Sequence, residues 1–508
     1  MSKRKFFRAM LCVAFASLPL LANAQGLAIV NETIANPDNE PALVHPVPHP
    51  RQLKWMQTEF YGFFHYGMNT YTDQEWGYGN EPESQFAPTA APNPEQWLTA
   101  CQAAGMRGGI AVVKHHDGFC LWPTETTTHS IKNAGNDYGR NTNIPRDFAA
   151  AAQKLGMKYG FYVSPWDRNS AYYGTQKYVT DVFLRQCSEL AQYGSDQFEM
   201  WFDGANGGDG YYGGKNTKIS VDRATYYDVP NLRDTVHAVC PECVLWGVGG
   251  EARWIGNEDG YAGVTNWLTD NRVDGKDQPN AESGSEDGWF WLPGESDAKG
   301  TDKGWFYHPG ERALTSEQLY KIYMETVGRN ATLILNMPPA RDGKLPSYDV
   351  TALEGLGTLL KNRLGDDIDM ARTARIEVSD TRSAGANRSY GITNAIDGNT
   401  DTYWAANDGT TTATITLSWD QAKSLHYVML QEHVGLGQRI QDFKIETSAD
   451  GNSWTEKART LTTTVGYKRI IPLNGSTSSY GSATSAKYVR ITITKAKACP
   501  TLERIGIF

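Results

Sequence analysis

The segment Phe198-Glu199-Met200-Trp201-Phe202-Asp203-Gly204 is an apolar run that ends on a carboxylate and a glycine. Strand residues two apart share a face, so Trp201 and Asp203 should point the same way. A flat indole beside a carboxylate suits a sugar. The ring can stack on a pyranose while the carboxylate attacks the anomeric carbon and forms a glycosyl-enzyme. The competing role for Asp203 is structural, capping a helix or fixing a loop. Double displacement also needs a second carboxyl to protonate the leaving oxygen. The candidates after Asp203 are Glu251, Glu258, Asp259, Glu282, Glu286 and Glu295, and acid–base chemistry alone does not choose among them. Glu258 lies in Trp254-Ile255-Gly256-Asn257-Glu258-Asp259-Gly260, an aromatic-flanked loop. Partial desolvation there would raise its pKa, as a general acid requires. A solvated loop acid is the alternative.

Histidines form the second cluster: His65 in Phe63-Phe64-His65-Tyr66-Gly67, and the pair His115-His116. Adjacent histidines project in different directions and no HExxH spacing occurs, which disfavours a metal centre. Hydrogen bonds to sugar hydroxyls are the better use, with structural roles as the alternative. Cys240-Pro-Glu-Cys243 has no second CxxC to complete a zinc site and reads as an incidental pair able to close a local disulfide.

The elements that would carry these groups alternate. Apolar runs at Tyr61–Phe64, Gly109–Val113, Tyr159–Val163, Phe198–Phe202, Val244–Val248, Gly263–Trp267 and Thr332–Leu335 predict strands. Between them, Pro94–Ala104, Arg146–Leu155, Lys177–Tyr193, Ala224–Val239 and Ser316–Val327 predict helices. Strand-then-helix repetition over this length predicts an α/β fold, a (β/α)8-like barrel over residues 50–370. His65, Lys114 to Asp117, Ser164 to Asp167 and Asp203 each follow a predicted strand, so they gather at the C-terminal rim where such barrels carry their sites. Residues 371–508 change pattern. Short alternating runs at Ala413–Leu417, Tyr427–Leu430, Phe443–Ser448, Arg469–Pro472 and Tyr488–Thr494 predict an all-β sandwich.

The bulk composition is that of a globular protein, and its many aromatic rings suit sugar stacking or a large aromatic core equally. The chain has 508 residues, 40% hydrophobic and 21% charged, with 15 tryptophans and 26 tyrosines. Lys3, Arg4, Lys5 and Arg8 precede an apolar stretch to Leu21, and Ala22-Asn23-Ala24 fits a leader cleavage site, so residues 1–24 read as a signal peptide and 25–49 as an extension. Secretion or a periplasmic location follows. Losing four leader cations leaves 44 basic against 57 acidic residues, a balance of −13, which argues against a nucleic-acid partner. No apolar run after the leader reaches transmembrane length.

Several ordered segments resemble glycoside hydrolase family 29, the α-L-fucosidases: Glu59-Phe60-Tyr61-Gly62-Phe63-Phe64-His65-Tyr66-Gly67, Lys114-His115-His116-Asp117-Gly118-Phe119, Trp201-Phe202-Asp203-Gly204-Ala205 and Leu335-Asn336-Met337-Pro338-Pro339. Ser164-Pro165-Trp166-Asp167-Arg168, Arg253-Trp254-Ile255-Gly256-Asn257-Glu258 and Pro293-Gly294-Glu295-Ser296-Asp297, with Trp305 beyond, are similar to the subfamily acting on α-1,3 and α-1,4 linked fucose. The resemblance implies a retaining exo-acting enzyme on fucosylated oligosaccharides or glycoconjugates, without a catalytic cofactor. It makes Asp203 the nucleophile and Glu258 the acid/base. It places His65, Glu75, Trp76, His115, His116, Tyr162, Trp201 and Arg253 around the sugar and Trp305 against its C5-methyl side. Asp167, Glu295 and Asp297 would meet the next sugar. The segment Asn206–Lys218 is longer than the family pattern and could reshape the leaving-group side. A broad-specificity fucosidase and a non-catalytic glycan-binding protein are the alternatives.

The C-terminal region resembles the discoidin, or coagulation factor 5/8 C-type, family. The likeness rests on Asn394-Ala395-Ile396-Asp397-Gly398-Asn399-Thr400-Asp401-Thr402-Tyr403-Trp404, Gly437-Gln438-Arg439-Ile440, Trp454 and Tyr488-Val489-Arg490-Ile491. It implies a jelly roll, a structural calcium held by Asp397, Thr402 and Glu503, and His433 and Arg439 as candidate sugar contacts.

Overall fold

The computed structural model describes residues 36–271, 280–475 and 481–508. The predicted leader lies outside them, as do residues 25–35 of the extension.

Eight parallel strands form one sheet: β1 (Phe60–Phe64), β2 (Gly108–Lys114), β3 (Lys158–Val163), β4 (Glu199–Trp201), β5 (Val244–Leu245), β6 (Arg253–Trp254), β7 (Gly294–Lys299) and β8 (Thr332–Asn336). Their order is β5-β4-β3-β2-β1-β8-β7-β6. This is the barrel order with one pair of neighbours, β5 and β6, not hydrogen-bonded to each other. Residues 246–252 join those two strands without an α-helix, so the wall has a seam there.

Local signals set the helices. Pro94–Ala103 starts on Asn93, whose side chain accepts from the Gln96 amide, and has proline in its first turn. Ile144–Leu155 starts on Asn143 in the same way and stops at Gly156, in the left-handed region at φ 65°. Ser316–Thr326 carries a reciprocal cap between Thr315 and Gln318. These helices pack outside the strands around a core that includes Phe64, Trp97 and Phe148. Gly62 admits this packing: a Cβ there would stand 2.7 Å from Cys101 Sγ.

Three sequence expectations change. Lys177–Tyr193 is not one α-helix, because a π-turn at Val179–Phe183 interrupts it before Leu184–Ala191. Gly263–Trp267 is not a strand. The barrel is completed instead by β6 and β7, whose sequences are short or polar. Gly294-Glu295-Ser296-Asp297-Ala298-Lys299 is buried nearly throughout because its carboxyl groups point into the barrel, so no apolar run marks it. All six cysteines of residues 36–508 are buried thiols, Cys240 and Cys243 included.

The C-terminal region is an antiparallel sandwich. A five-stranded sheet contains Ala413–Leu425, Ile440–Ser448 and Thr484–Ala496, and a three-stranded sheet runs Arg469–Pro472, Tyr427–Gln431, Arg504–Ile507. Tyr427, Met429 and Ile470 of the smaller sheet, and Phe508 just beyond it, join the barrel's hydrophobic core. The buried Lys468–Glu59 pair, 2.5 Å apart, crosses the same contact, and Leu268 N donates to Gln438 Oε1 at 2.7 Å. Arg439 is fully buried and donates to the carbonyls of Cys499 and Leu436. It is a framework residue, not a sugar contact.

Candidate active site

A cavity of about 690 Å3 opens at the C-terminal rim beside the β5/β6 seam, with Trp201, Asp203, Trp246, Trp254, Glu258 and Asp297 on its wall. Trp201 lies flat on Trp246, ring centres 3.6 Å apart and planes at 8°. Tyr162 stacks on Trp201 from the β3 side, centres 5.3 Å apart.

Asp203 sits just past β4. Its Oδ1 accepts from the Gly204 amide at 2.6 Å and its Oδ2 from the Tyr162 hydroxyl at 3.5 Å. The remaining side-chain surface, 48% exposed, faces the opening. Burial by the surrounding walls raises its pKa above the usual aspartate value. The Gly204 hydrogen bond opposes this, and the charge of Glu258 adds to it. Gly204 has φ 69°, and a Cβ there would stand 2.5 Å from the His116 ring. The glycine after the carboxylate is therefore a steric requirement of the imidazole beside it.

The histidines form a neutral set. Burial pushes His65 and His116 down to about 3 and His115 well below its ordinary value. Their partners assign the tautomers. Asn336 Nδ2 donates to Trp305 O, so its Oδ1 accepts from His65 Nδ1–H at 2.7 Å. Ser164 donates its one hydrogen to Trp166 O, so it accepts from His116 Nδ1–H at 2.7 Å. Both rings are left with an unprotonated Nε2, an acceptor for a hydroxyl. Asn69 Nδ2 faces His115 Nδ1 at 3.4 Å and also donates to Glu75 O, which leaves His115 with Nε2–H as a donor. A mixed set of two acceptors and one donor matches sugar hydroxyls, which do both.

Glu75 accepts from Trp305 N at 2.8 Å and from His308 Nε2 at 2.5 Å. Burial alone would lower the His308 pKa, but Glu75 and Asp73 on its two nitrogens outweigh it and raise it. Trp305 packs on His65, centres 5.2 Å apart. Trp76 is 58% exposed and stands edge-on to His116. His308, Asn336 and Trp246 were not named as site residues from the sequence, and Ser164 was placed only at the rim. Asn336 had a signal, a polar residue ending the apolar Thr332–Leu335 run. Trp246 had none beyond residue type, and His308 lies in Gly304-Trp305-Phe306-Tyr307-His308, a segment similar to the α-1,3 and α-1,4 subfamily.

Two expected contacts, Asp167 and Glu295, fall elsewhere, and a third, Arg253, lies at the cavity wall with its guanidinium committed to the framework. Asp167 is buried, pairs with the buried Lys114 ammonium at 3.2 Å and accepts from the Asn169 and Ser170 amides; it fixes the loop after β3. Arg253 points its guanidinium at Ala281 O, Leu292 O and Asn266 Oδ1, tying the seam loops together. Glu295 lies behind Trp201 and accepts its indole N–H at 2.6 Å, so a residue on the mouth side cannot reach it past the indole. Asp297 does line the cavity, held by Trp254 Nε1 at 2.8 Å, and burial raises its pKa well above normal. Glu258 lines the same cavity but is exposed, not partly desolvated as its loop suggested.

The Asn206–Lys218 segment contributes Gly207–Gly210, which pairs antiparallel with Thr217–Ser220. It docks on the loop after β3, where Arg168 Nε donates to Asp209 O at 2.8 Å. In the sandwich, Thr402 Oγ1 donates to Asp397 Oδ2 at 2.7 Å. Glu503 bonds His433 at 3.2 Å and feels Lys468 and Glu59, which places it toward the barrel contact. Among the described residues no three His, Cys, Asp or Glu side chains group as a metal site. His433 is also stacked on Tyr403, centres 4.1 Å apart.

Parallel strand ends that bring a carboxylate, stacked aromatic rings and neutral imidazoles to one opening form the kind of pocket in which a pyranose is held and cleaved, the arrangement of a glycoside hydrolase. Residues 47–363 match the α-L-fucosidase family and residues 376–504 the F5/8 type C domain. The chain is 31% identical to Alpha-L-fucosidase 1 of Arabidopsis thaliana, over 92% of this chain and 88% of that protein. Among solved structures it is similar to a Ruminococcus gnavus GH29 fucosidase in complex with fucose, at TM-score 0.80 and 29% identity over 92% of this chain and 96% of that one. A glycoside hydrolase 29 family member from an unknown rumen bacterium gives TM-score 0.78 and 33% identity over 92% and 78%. The chain belongs to the α-L-fucosidase family and is a glycoside hydrolase.

Proposed function

We propose that the protein is a retaining, exo-acting α-L-fucosidase in which Asp203 is the nucleophile and Glu258 the acid/base. The observation that carries this reading is the shared cavity: Asp203 and Glu258 face one space floored by Trp201 and Trp246. In the first step Glu258 gives its proton to the glycosidic oxygen while Asp203 Oδ2 attacks the anomeric carbon, and the C–O bond to the leaving sugar breaks. In the second, Glu258 takes a proton from water and the water oxygen displaces Asp203. His65 and His116 accept from fucose hydroxyls and His115 donates to one. The Tyr162 hydroxyl and Gly204 amide hold the carboxylate aimed.

We further propose a preference for α-1,3 and α-1,4 linked fucose on branched glycans, in a secreted or periplasmic setting. With Asp167 and Glu295 engaged in the framework, Asp297 is the polar group that supports this preference. It shares the cavity with Glu258, on the leaving-group side of the nucleophile. Proton NMR of the first product tests the mechanism. A retaining enzyme releases α-L-fucose first, with the β anomer growing in by mutarotation, and initial β-L-fucose overturns it. Equal kcat/KM on an α-1,3/1,4 fucosylated branched trisaccharide and an α-1,2 fucoside overturns the linkage preference alone.

A further inference from the structure

The barrel interior below the site holds two carboxyl groups that the mechanism does not use. Glu199 of β4 and Glu295 of β7 are 0% and 1% exposed. Three donors point at their four oxygens. Trp55 Nε1 donates to Glu199 Oε2 at 3.0 Å, Trp201 Nε1 to Glu295 Oε1 at 2.6 Å, and the Tyr61 hydroxyl to Glu295 Oε2. Glu199 Oε1 receives no N–H or O–H, and the Glu295 carboxyl lies within hydrogen-bonding reach of the Glu199 carboxyl. Tyr61 lies against both acids, but its one hydrogen goes to Glu295. Two ionised carboxylates touching in this interior would repel strongly, and an acceptor facing an acceptor without a proton is a buried loss.

We propose that Glu199 and Glu295 share one proton, with Glu199 donating from Oε1 to an ionised Glu295, and that this pair is the positioning device that fixes the Trp201 indole. The inference rests on the reading of the cavity above as the sugar site. Trp201 is two residues from Asp203 and floors that cavity. Its indole N–H is held from below by a charged acceptor, a bond about twice as strong as a neutral one. Trp246 and Tyr162 clamp its two faces. With three sides fixed, the ring meets the sugar in one orientation, and the strand end carrying Asp203 is held with it.

Hydrogen-bond arithmetic makes the two acids unequal, which gives the test. In Glu199→Gln the amide oxygen accepts from Trp55 and the amide N–H donates to Glu295, so every bond survives. In Glu295→Gln the Trp201 N–H loses its charged acceptor, and one arm becomes a donor that the Tyr61 hydroxyl can meet only by turning its own hydrogen away. Glu199→Gln should keep kcat/KM within about twofold of wild type. Glu295→Gln should lose about tenfold to a hundredfold, mainly in kcat, as expected for a displaced reacting group. Glu199→Leu should also lose activity, and Glu199→Gln is then its conservative rescue.

Infrared difference spectra of wild type against Glu199→Gln should show the loss of one protonated carboxyl. Equal losses in Glu199→Gln and Glu295→Gln, or no protonated carboxyl in that difference, overturn the shared proton. A folded Glu295→Gln enzyme with wild-type kcat overturns the positioning role. Asp203→Ala run in parallel separates the two readings. If it remains active the site reading itself fails, whatever the glutamates do.

Discussion

His116 Nε2 stands 3.9 Å from Asp203 Oδ2, while the same ring's Nδ1–H is committed to Ser164 at 2.7 Å. The imidazole therefore turns a lone pair, not a proton, toward the opening beside the carboxylate. It neither neutralises nor protonates Asp203. In the proposed mechanism, attack is left to a carboxylate whose Oδ1 is held by the Gly204 amide and whose Oδ2 is held by the Tyr162 hydroxyl, and the ring is free to accept from the sugar.

Asp203→Ala should lower kcat by at least about 10³-fold, because no other group at this position can form the covalent bond. Its circular dichroism should match wild type, since the side chain is about half exposed to the opening. A folded variant with near wild-type turnover would refute the nucleophile assignment.

Glu258 and Asp297 line one cavity and should separate by substrate. Glu258→Gln should lose about 10²- to 10⁴-fold on natural glycosides, as expected for removal of a general acid, and much less on aryl fucosides whose leaving group needs no proton. Asp297→Asn should lower kcat/KM for branched glycans while sparing aryl fucosides. The reverse pattern, measured side by side on both substrate types, would exchange the two roles.

Acid should destabilise the fold through the neutral histidines. His65 and His116 sit near 3 in the folded protein against 6.5 as free groups. Their contribution is complete above pH 6.5 and is lost as pH falls from there toward 3, because only the unfolded chain takes up the proton. Each adds a slope of up to about 1.4 kcal/mol per pH unit in that window. Burial raises the pKa of Asp117 to about 6, a shift of opposite sign, so the comparison must be between variants. Urea unfolding of His65→Asn between pH 7 and 5 should show a slope shallower than wild type by about that one-proton amount. Identical slopes would mean His65 is not held neutral.

Asp167→Ala should act on stability and not on linkage. It strands the buried Lys114 ammonium, whose other partners are Gln186 Oε1 at 2.8 Å and the Tyr178 hydroxyl at 3.2 Å. Removing one member of a buried pair costs about 3–5 kcal/mol, so Tm should fall clearly. The ratio of kcat/KM on branched and aryl substrates should stay as in wild type. A changed ratio at unchanged Tm would restore Asp167 as a sugar contact.

By itself the sequence was enough for the architecture and the rim. Runs such as Phe60–Phe64 and Thr332–Asn336 are buried on both faces, so they read as continuous apolar strands, and polar residues just beyond them fall at the C-terminal ends. Asp203, His65, His115 and His116 were placed at the rim for that reason, Trp201 because it shares a strand face with Asp203, and Tyr162 only through the family resemblance. What only the tertiary structure decided is where charged side chains inside the barrel spend their hydrogen bonds. Glu295 and Asp297 lie two apart on one inward face of β7, yet the first sits beneath Trp201 and the second opens to the cavity. Asp167 and Arg253 carry the residue types of a sugar site but close on Lys114 and on backbone carbonyls. Residue type sets what a group can donate or accept. Its partner is set by depth in the fold, through contacts between strands far apart in the chain, and no local pattern encodes depth.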